Sequence, residues 1–268
     1  MRTALEKKRN KYRECSYRHG YSLVELLVAM AITLLVMAGV YKVYVTQQDS
    51  YLLQEQVAEM QQNARTAKYI MTREIRMAGY NPTGLAAAGF VSAHNDSIRF
   101  TMDITGEDGT ITVPGDDITY SVSTANDLER DEGSGKQAVV ENVEAIGFAY
   151  AFDGDGDGNI DTSAGGNIIW AIDSDKTDGI DQLDKYLDTD DDGIISVSDN
   201  PNGEDLATPV PLDRIKAVRI WILARTGNEE RGHSDTSTYV LANQRVPAND
   251  GNRRYLVTTT VKCRNMAL

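Results

Sequence analysis

The stretch Gly20-Tyr21-Ser22-Leu23-Val24-Glu25-Leu26-Leu27-Val28-Ala29-Met30 decides how the chain is built. It opens an apolar run from Leu23 to Val45 broken only by Glu25 and Lys42, and Leu26–Tyr41 carries no charge. As a helix these 23 residues rise about 35 Å, enough to cross a hydrocarbon core of about 30 Å. Residues 1–20 hold Arg2, Lys7, Lys8, Arg9, Lys11, Arg13 and Arg18 against Glu6 and Glu14. That basic end is expected on the cytoplasmic side, and the remainder beyond a single span. Glu25, near the start of such a segment, is costly unless it has a partner.

A basic leader ending in Gly, an aromatic residue, three more residues, Glu25 and an apolar helix occur here together. In that combination the segment resembles the type IV prepilin signal. The resemblance implies that a prepilin peptidase cuts after Gly20 and methylates the new amine of Tyr21. Glu25 then has a plain chemical role in assembly. Cleavage creates a cation at Tyr21, and a carboxylate one turn along, on this helix or a neighbour, neutralises it in low dielectric. An ordinary signal anchor and small-residue cleavage after Val36-Met37-Ala38 are the competing readings.

Past Val45 the polarity changes but helical spacing continues. Leu53, Val57, Met60, Ala64, Ala67, Met71, Ile75 and Ala78 recur at steps of three and four, a one-sided apolar stripe. No proline interrupts Tyr21–Ala78, and Gly79 and Pro82 supply a stop. The pattern predicts one helix of about 58 residues, roughly 87 Å long. Its first half needs lipid or neighbouring helices, and its second half needs a sheet.

Strand-like runs follow at Ser97–Met102, Ile118–Val122, Ala145–Phe152, Ile215–Leu223 and Tyr255–Cys263. The expected fold class is α+β, one long N-terminal helix whose second half packs on an antiparallel sheet. The runs 143–150 and 215–223, the C-terminal segment 254–265 and Arg76-Met77-Ala78-Gly79-Tyr80-Asn81-Pro82 resemble those of PilW-like minor pilins. The resemblance implies the type IV pilin fold, which minor pseudopilins of type II secretion share. The expected divisions are a cleaved leader at 1–20, a membrane or filament-core half-helix at 21–48 and a soluble half-helix at 49–82. A β-rich domain fills 83–268, with an acidic insert at 153–205.

The chain has 268 residues, and 27 Lys+Arg against 40 Asp+Glu give a net charge of −13. Sixteen of those acids lie between Asp153 and Asp205, beside only Lys176 and Lys185. So dense a field repels nucleic acid and suits cations. Asp153, Asp155, Asp157, Asn159 and Asp161 place oxygens at loop positions one, three, five, seven and nine, with Gly158 at six. Asp188, Asp190, Asp192, the carbonyl of Ile194 and Asp199 repeat the pattern with an acid at twelve, and this loop resembles a dockerin-type calcium loop. Asp173, Asp175, Asp178 and Asp181 form a third, mis-spaced version. Calcium takes six to eight oxygens in a flexible loop, which alternating acids and a turn glycine provide. One to three calcium ions are expected, with the apolar residue at position eight fixing each loop to a core. The insert is expected as a hairpin connection outside that core.

Catalytic signals are weak. Gly154-x-Gly156-x-Gly158 carries aspartates that would repel phosphate, and His233-Ser234-Asp235 is too local for a triad. Arg245, Arg253, Arg254, Lys262 and Arg264 read as a solvated strand edge, and Cys263 as a packed thiol. The expected function is non-enzymatic, a calcium-stabilised minor pilin that primes a type IV pilus or sits in its tip complex. Its implied partners are other minor and major pilins, the prepilin peptidase and the inner membrane before assembly, with the pilus, cell surface or periplasm as destination. A type II secretion pseudopilin and a calcium-dependent tip adhesin are the alternatives.

Overall fold

The computed structural model describes residues 20–111, 114–176 and 180–266. Helix α1 runs Leu23–Ile75. Its start is a reciprocal cap: Ser22 Oγ accepts the Glu25 N–H at 3.4 Å, and Glu25 Oε2 accepts the Ser22 N–H at 3.4 Å. Its end falls three residues before the expected Ala78. There the chain turns, and Gly79, at φ 77°, donates its N–H to Thr101 O at 3.0 Å.

Two compact units share this helix, Met1–Tyr51 and Leu52–Leu268. In the first, every described side chain is exposed, and α1 there is long and apolar enough to cross a membrane. In the second, Met60, Ala64, Ala67, Met71 and Ile75 are buried, the stripe that the helical period marks out. Leu53 and Val57 are half-buried at its beginning.

The rest of the second unit is β structure. Strands β1 (Phe90–Ala93), β2 (Ile98–Thr101), β3 (Asp117–Val122), β4 (Leu128–Asp131) and β5 (Lys136–Val140) form an antiparallel sheet in chain order. The larger sheet takes β6 (Val143–Phe152), β7 (Ala171–Ile172), β8 (Gln182–Tyr186), β9 (Glu204–Pro211) and β10 (Ile215–Arg225). A hairpin of β11 (Thr238–Leu241) and β12 (Gln244–Pro247) precedes β13 (Arg254–Lys262), and the large sheet reads β13-β10-β6-β7-β8-β9. The expected pairing of 143–150 with 215–223 is present, antiparallel, with Phe148 opposite Ile220 and Ile146 opposite Ile222.

Helix and sheets meet in a main apolar core and a small satellite cluster. Ala67, Met71 and Ile75 pack with residues of both sheets, while Met60 and Ala64 meet Ala224 and Val257 at the end of β10 and β13. Glu74 anchors the smaller sheet to α1, accepting bonds from the Tyr120 hydroxyl and from Arg130 Nε at 2.9 Å.

Two expectations fail here. The insert is no loop outside the core: β7, β8 and β9 extend the large sheet, and Trp170, Ala171, Ile172, Leu183, Leu187 and Val210 are buried in it. Short apolar runs among acids supply that edge. Arg254 is no solvated edge residue either. Its side chain is 1% exposed and meets Glu144 at 2.6 Å and Asp250 at 2.8 Å. The guanidinium hydrogen bond holds Asp250 down, to about 2.

Gly147 in β6 lies under the β11–β12 turn, where a Cβ would stand 2.7 Å from Leu241 Cβ and 2.8 Å from its carbonyl carbon. Backbone cannot yield as a side-chain tip can. Gly147→Ala is expected to cost about 1–3 kcal/mol by overpacking, read as a lowered midpoint in thermal unfolding. An unchanged midpoint would refute the close approach.

Candidate functional site

The acidic insert leaves β6 at Phe152 and returns at Ile215, residues that face one another in the sheet. Asp153 N–H donates to Arg214 O at 3.1 Å, so the first acidic loop starts from a fixed point. Asp153 is buried, with Oδ1 accepting from Gly156 N at 2.7 Å and Oδ2 from Gly158 N at 3.0 Å. Burial pushes its pKa up, but those two amides and Lys216, 3.5 Å away, bring it below the usual range. Gly158 takes φ 88° to make the turn, a conformation that favours glycine. Asp161 Oδ2 accepts the Gly154 N–H at 3.1 Å. Carboxylate oxygens of Asp153, Asp155 and Asp161 all lie within 4.8 Å of one another.

The second loop follows β8 and repeats the device. Asp188 Oδ1 accepts from Asp192 N at 3.2 Å and Oδ2 from Gly193 N at 2.8 Å, with Gly193 at φ 86°. Asp188, Asp190 and Asp192 bring carboxylate oxygens within 4.8 Å of one another. Among the described residues these two are the groups of three acids able to hold a metal ion. Burial raises the pKa of both Asp161 and Asp188. Neighbouring carboxylates add to it, Asp155, Asp153 and Asp157 in one loop and Asp199 and Asp192 in the other, against the backbone amides. Such crowding of like charge is what a divalent cation relieves. At position eight, Ile160 and Ile195 pack against the main core, as expected.

Other expected ligands stand differently. Asp157 accepts from Asn159 N at 2.7 Å and from Asn159 Nδ2 at 3.1 Å, outside the first group. Asp199 is buried and braces its own loop, accepting from Thr189 N at 2.6 Å and Ser196 N at 2.8 Å. The Ile194 side chain is 63% exposed. The third segment gathers no such group among the described residues: Asp175 and Asp181 are exposed, and Asp178 lies outside the described residues. Asp173 is buried at the end of β7, its Oδ2 3.7 Å from His94 Nδ1 and without a hydrogen bond. Burial lifts its pKa to about 6, against the pull of His94.

Sequence reasoning missed Asp191. It accepts from the Ser163 hydroxyl, from Gly165 N at 3.0 Å and from Asn167 Nδ2 at 3.0 Å. The second loop is thereby tied to the 162–168 turn that follows the first. The signal was present as the extra aspartate of Asp190-Asp191-Asp192 opposite a Ser-x-Gly-x-Asn run.

At the other end, Gly20 and Tyr21 are exposed, and nothing comes within 4 Å of a Cβ placed on Gly20. Glu25 is exposed and caps the helix. Cys263 is buried, its thiol pushed by burial up to about 12, too high for reactivity.

A capped apolar N-terminal helix, continued as one side of an α+β core, defines a type IV pilin-like protein. Residues 120–265 match the family described as Type IV Pilus-assembly protein W, PilW, and residues 15–41 match the prokaryotic N-terminal methylation motif. The first match covers over half of the chain, which therefore belongs to the PilW family and is a minor pilin of type IV pilus assembly. A solved type IV-like pilin from Thermus thermophilus is 16% identical, with 81% of this chain and 98% of that one aligned at a TM-score of 0.42. A comparison with curated proteins finds no match.

Asp173 sets a pH test. Its raised pKa means that its contribution is fully present below the ordinary carboxylate range near 4 and is lost as pH rises through about 6. Asp173→Asn should therefore stabilise the chain at pH 7.5, on the order of 1–2 kcal/mol after solvent screening, and have little effect at pH 4. Thermal melts at the two pH values check this. Destabilisation at pH 7.5 would mean that Asp173 works ionised, as a metal ligand does.

Proposed function

We propose that this minor pilin acts in the initiation or tip complex of the pilus and that calcium orders its exposed domain. The observation that carries the calcium reading is the pair of three-carboxylate groups rooted at the ends of β6 and β8. Calcium needs more oxygens than three acids provide. Asp157, Asn159 and the Ile194 carbonyl are the nearest further donors, with Asp199 available if its braces release. Segment 173–181 receives no ion in this reading, because Asp173 faces His94. The role is non-enzymatic.

Assembly is assigned to the N-terminus. Prepilin peptidase cuts the exposed bond after Gly20 and methylates Tyr21. The partners are other minor and major pilins. The 21–48 segment holds the protein in the inner membrane before assembly and lies in the filament core afterwards, and 49–82 and 83–268 are displayed at the pilus or cell surface. Glu25 has two successive duties in this account: it caps α1 in the free chain and pairs with a Tyr21 amine on assembly. The PilW match favours a pilus over a type II secretion pseudopilin. A concavity of about 410 Å³ beside Asp188 and Asp191, with Trp170 and Tyr186 in its lining, supports a second reading as a calcium-dependent tip adhesin. Retained fibres with lost attachment, after deletion, would select that reading.

Two outcomes are expected. The full chain purified from its host in detergent should begin at methylated Tyr21 by intact mass, and Glu25→Ala should be processed but fail to enter pili. Residues 1–20 retained in assembled protein, or normal incorporation of the variant, would count against this assignment.

In calorimetry reaching millimolar calcium, the chain should take up ions, and chelation should lower its melting temperature. Binding to the folded state alone stabilises by about 2.7 kcal/mol at a hundredfold excess over the dissociation constant. Asp190→Asn with Asp192→Asn should remove much of that shift while Asp188 still holds its loop amides. No heat and an unchanged melt would leave the insert a solvated acidic edge.

A further inference from the structure

The two acidic loops differ in the fixed cations beside them. Lys216 stands against the first. It is the extra residue where β10 slips against β6 between Ile215 and Ala217, and such a bulge re-aims the side chain it carries. Its backbone is held there, the carbonyl accepting the Cys263 N–H at 2.9 Å. Its ammonium lies 3.5 Å from Asp153 Oδ2, with the lysine side chain 18% exposed and the aspartate 2%. The same oxygen takes the Gly158 amide at 3.0 Å, while Oδ1 takes Gly156 at 2.7 Å. Asp153 is the one buried member of its group with Asp155 and Asp161. A positive charge therefore already rests on the root of the first loop.

The second loop has no such companion. Among the described residues the insert's ion pairs are those of Asp153, Asp173, Lys176 and Lys185; Asp188, Asp190 and Asp192 are in none. Arg245 reaches this loop but bonds the carbonyls of Val197 and Asp199, at 3.0 and 2.6 Å. Asp188 is held by the amides of Asp192 and Gly193. The first loop is also the poorer in acids, since its twelfth position is Ala164 where the second has Asp199. A concavity of about 310 Å³, bordered by Gly158, Lys216, Lys262 and Arg264, opens beside the Lys216 side chain. The lysine thus has room to swing off Asp153.

We propose that Lys216 is the resident counter-ion of the first loop, that calcium displaces it into this concavity, and that the loops fill in order, the second before the first. The inference rests on the calcium reading of the two loops. An ammonium and a divalent ion do not share Asp153 well, because like charges a few ångströms apart in a half-buried site repel within the range of salt screening. Calcium must displace a cation at the first loop and need not at the second. The domain then orders in two steps as calcium rises, first after β8 and then after β6.

Amide exchange during a calcium titration of the full chain in detergent reads each loop separately, at Gly158 for the first and Gly193 for the second. In the unaltered chain Gly193 should become protected at lower calcium than Gly158. Lys216→Met removes the charge and keeps the length of the side chain. It should lower the calcium midpoint at Gly158 about tenfold and leave that at Gly193 where it was. Lys216→Gln should act in the same direction, and Lys216→Arg, which keeps the charge, should not. In chelator Lys216→Met should melt below the unaltered chain, since Asp153 loses its partner, and saturating calcium should close the gap. An unmoved or raised midpoint at Gly158 in both neutral variants, protection of Gly158 ahead of Gly193, or a melting deficit that calcium leaves in place overturns the proposal. Any of these with Gly193 still responding to calcium sinks the role of Lys216 alone. Silence at both glycines sinks the calcium reading with it.

Discussion

The antiparallel pairing of β6 with β10 is the constraint on which the rest of the chain depends. It brings Phe152 opposite Ile215, so everything between must leave and return at one point. It also supplies the middle of the sheet that receives the stripe of α1 and, through Ala224 and Val257, the outer Met60 and Ala64. At the far end of the same strands, Arg254 gathers Glu144 and Asp250 with its side chain 1% exposed. Breaking such a buried group on one side leaves charges that the interior cannot solvate. The sheet is therefore clamped electrostatically at one end and loaded with carboxylates at the other.

Those carboxylates explain why the insert is built as sheet rather than loop. Strand β6 gives Asp153, and β8 gives Asp188, a buried root from which to turn. Backbone amides hold each of them, and Asp191 ties the second loop to the turn after the first. At Asp161 and Asp188 the amides do not offset burial and the repulsion of neighbouring acids, which is the opening for a cation in the proposed reading. Binding and sheet edge are then coupled, since the loops cannot order without the strands that carry them. The apolar first unit of α1 poses the matching problem at the other end. Its side chains are exposed throughout, and only lipid or other helices can cover them.

Helix α1 was legible because a period of 3.6 survives the change from apolar to polar composition, and the buried residues match the stripe position by position. The two loops were legible because alternating aspartates ahead of a glycine admit few other conformations. Strands β7 to β9 were not. Ala171 and Ile172 make a two-residue strand whose burial depends on β6 and β8, and no local pattern announces it. Arg254 looked like surface because its partners lie at 144 and 250. The closeness of Asp173 to His94 was hidden because the two lie 79 positions apart. Asp161 joins the first group, while Asp157 stands outside it and accepts from Asn159. Strands β7 to β9, Arg254 and Asp173 were settled by tertiary contact, which spacing alone does not encode.

The central claim is that a cation completes the two loops and through them the edge of the main sheet. Amide hydrogen exchange of the full chain in detergent, with saturating calcium and then with chelator, reads this most directly. Calcium should slow exchange at Gly158, at Asp192 and Gly193, and in Gln182–Tyr186 of β8, while β10 and β13 remain equally protected in both conditions. Identical exchange in the two loops with and without calcium would contradict it.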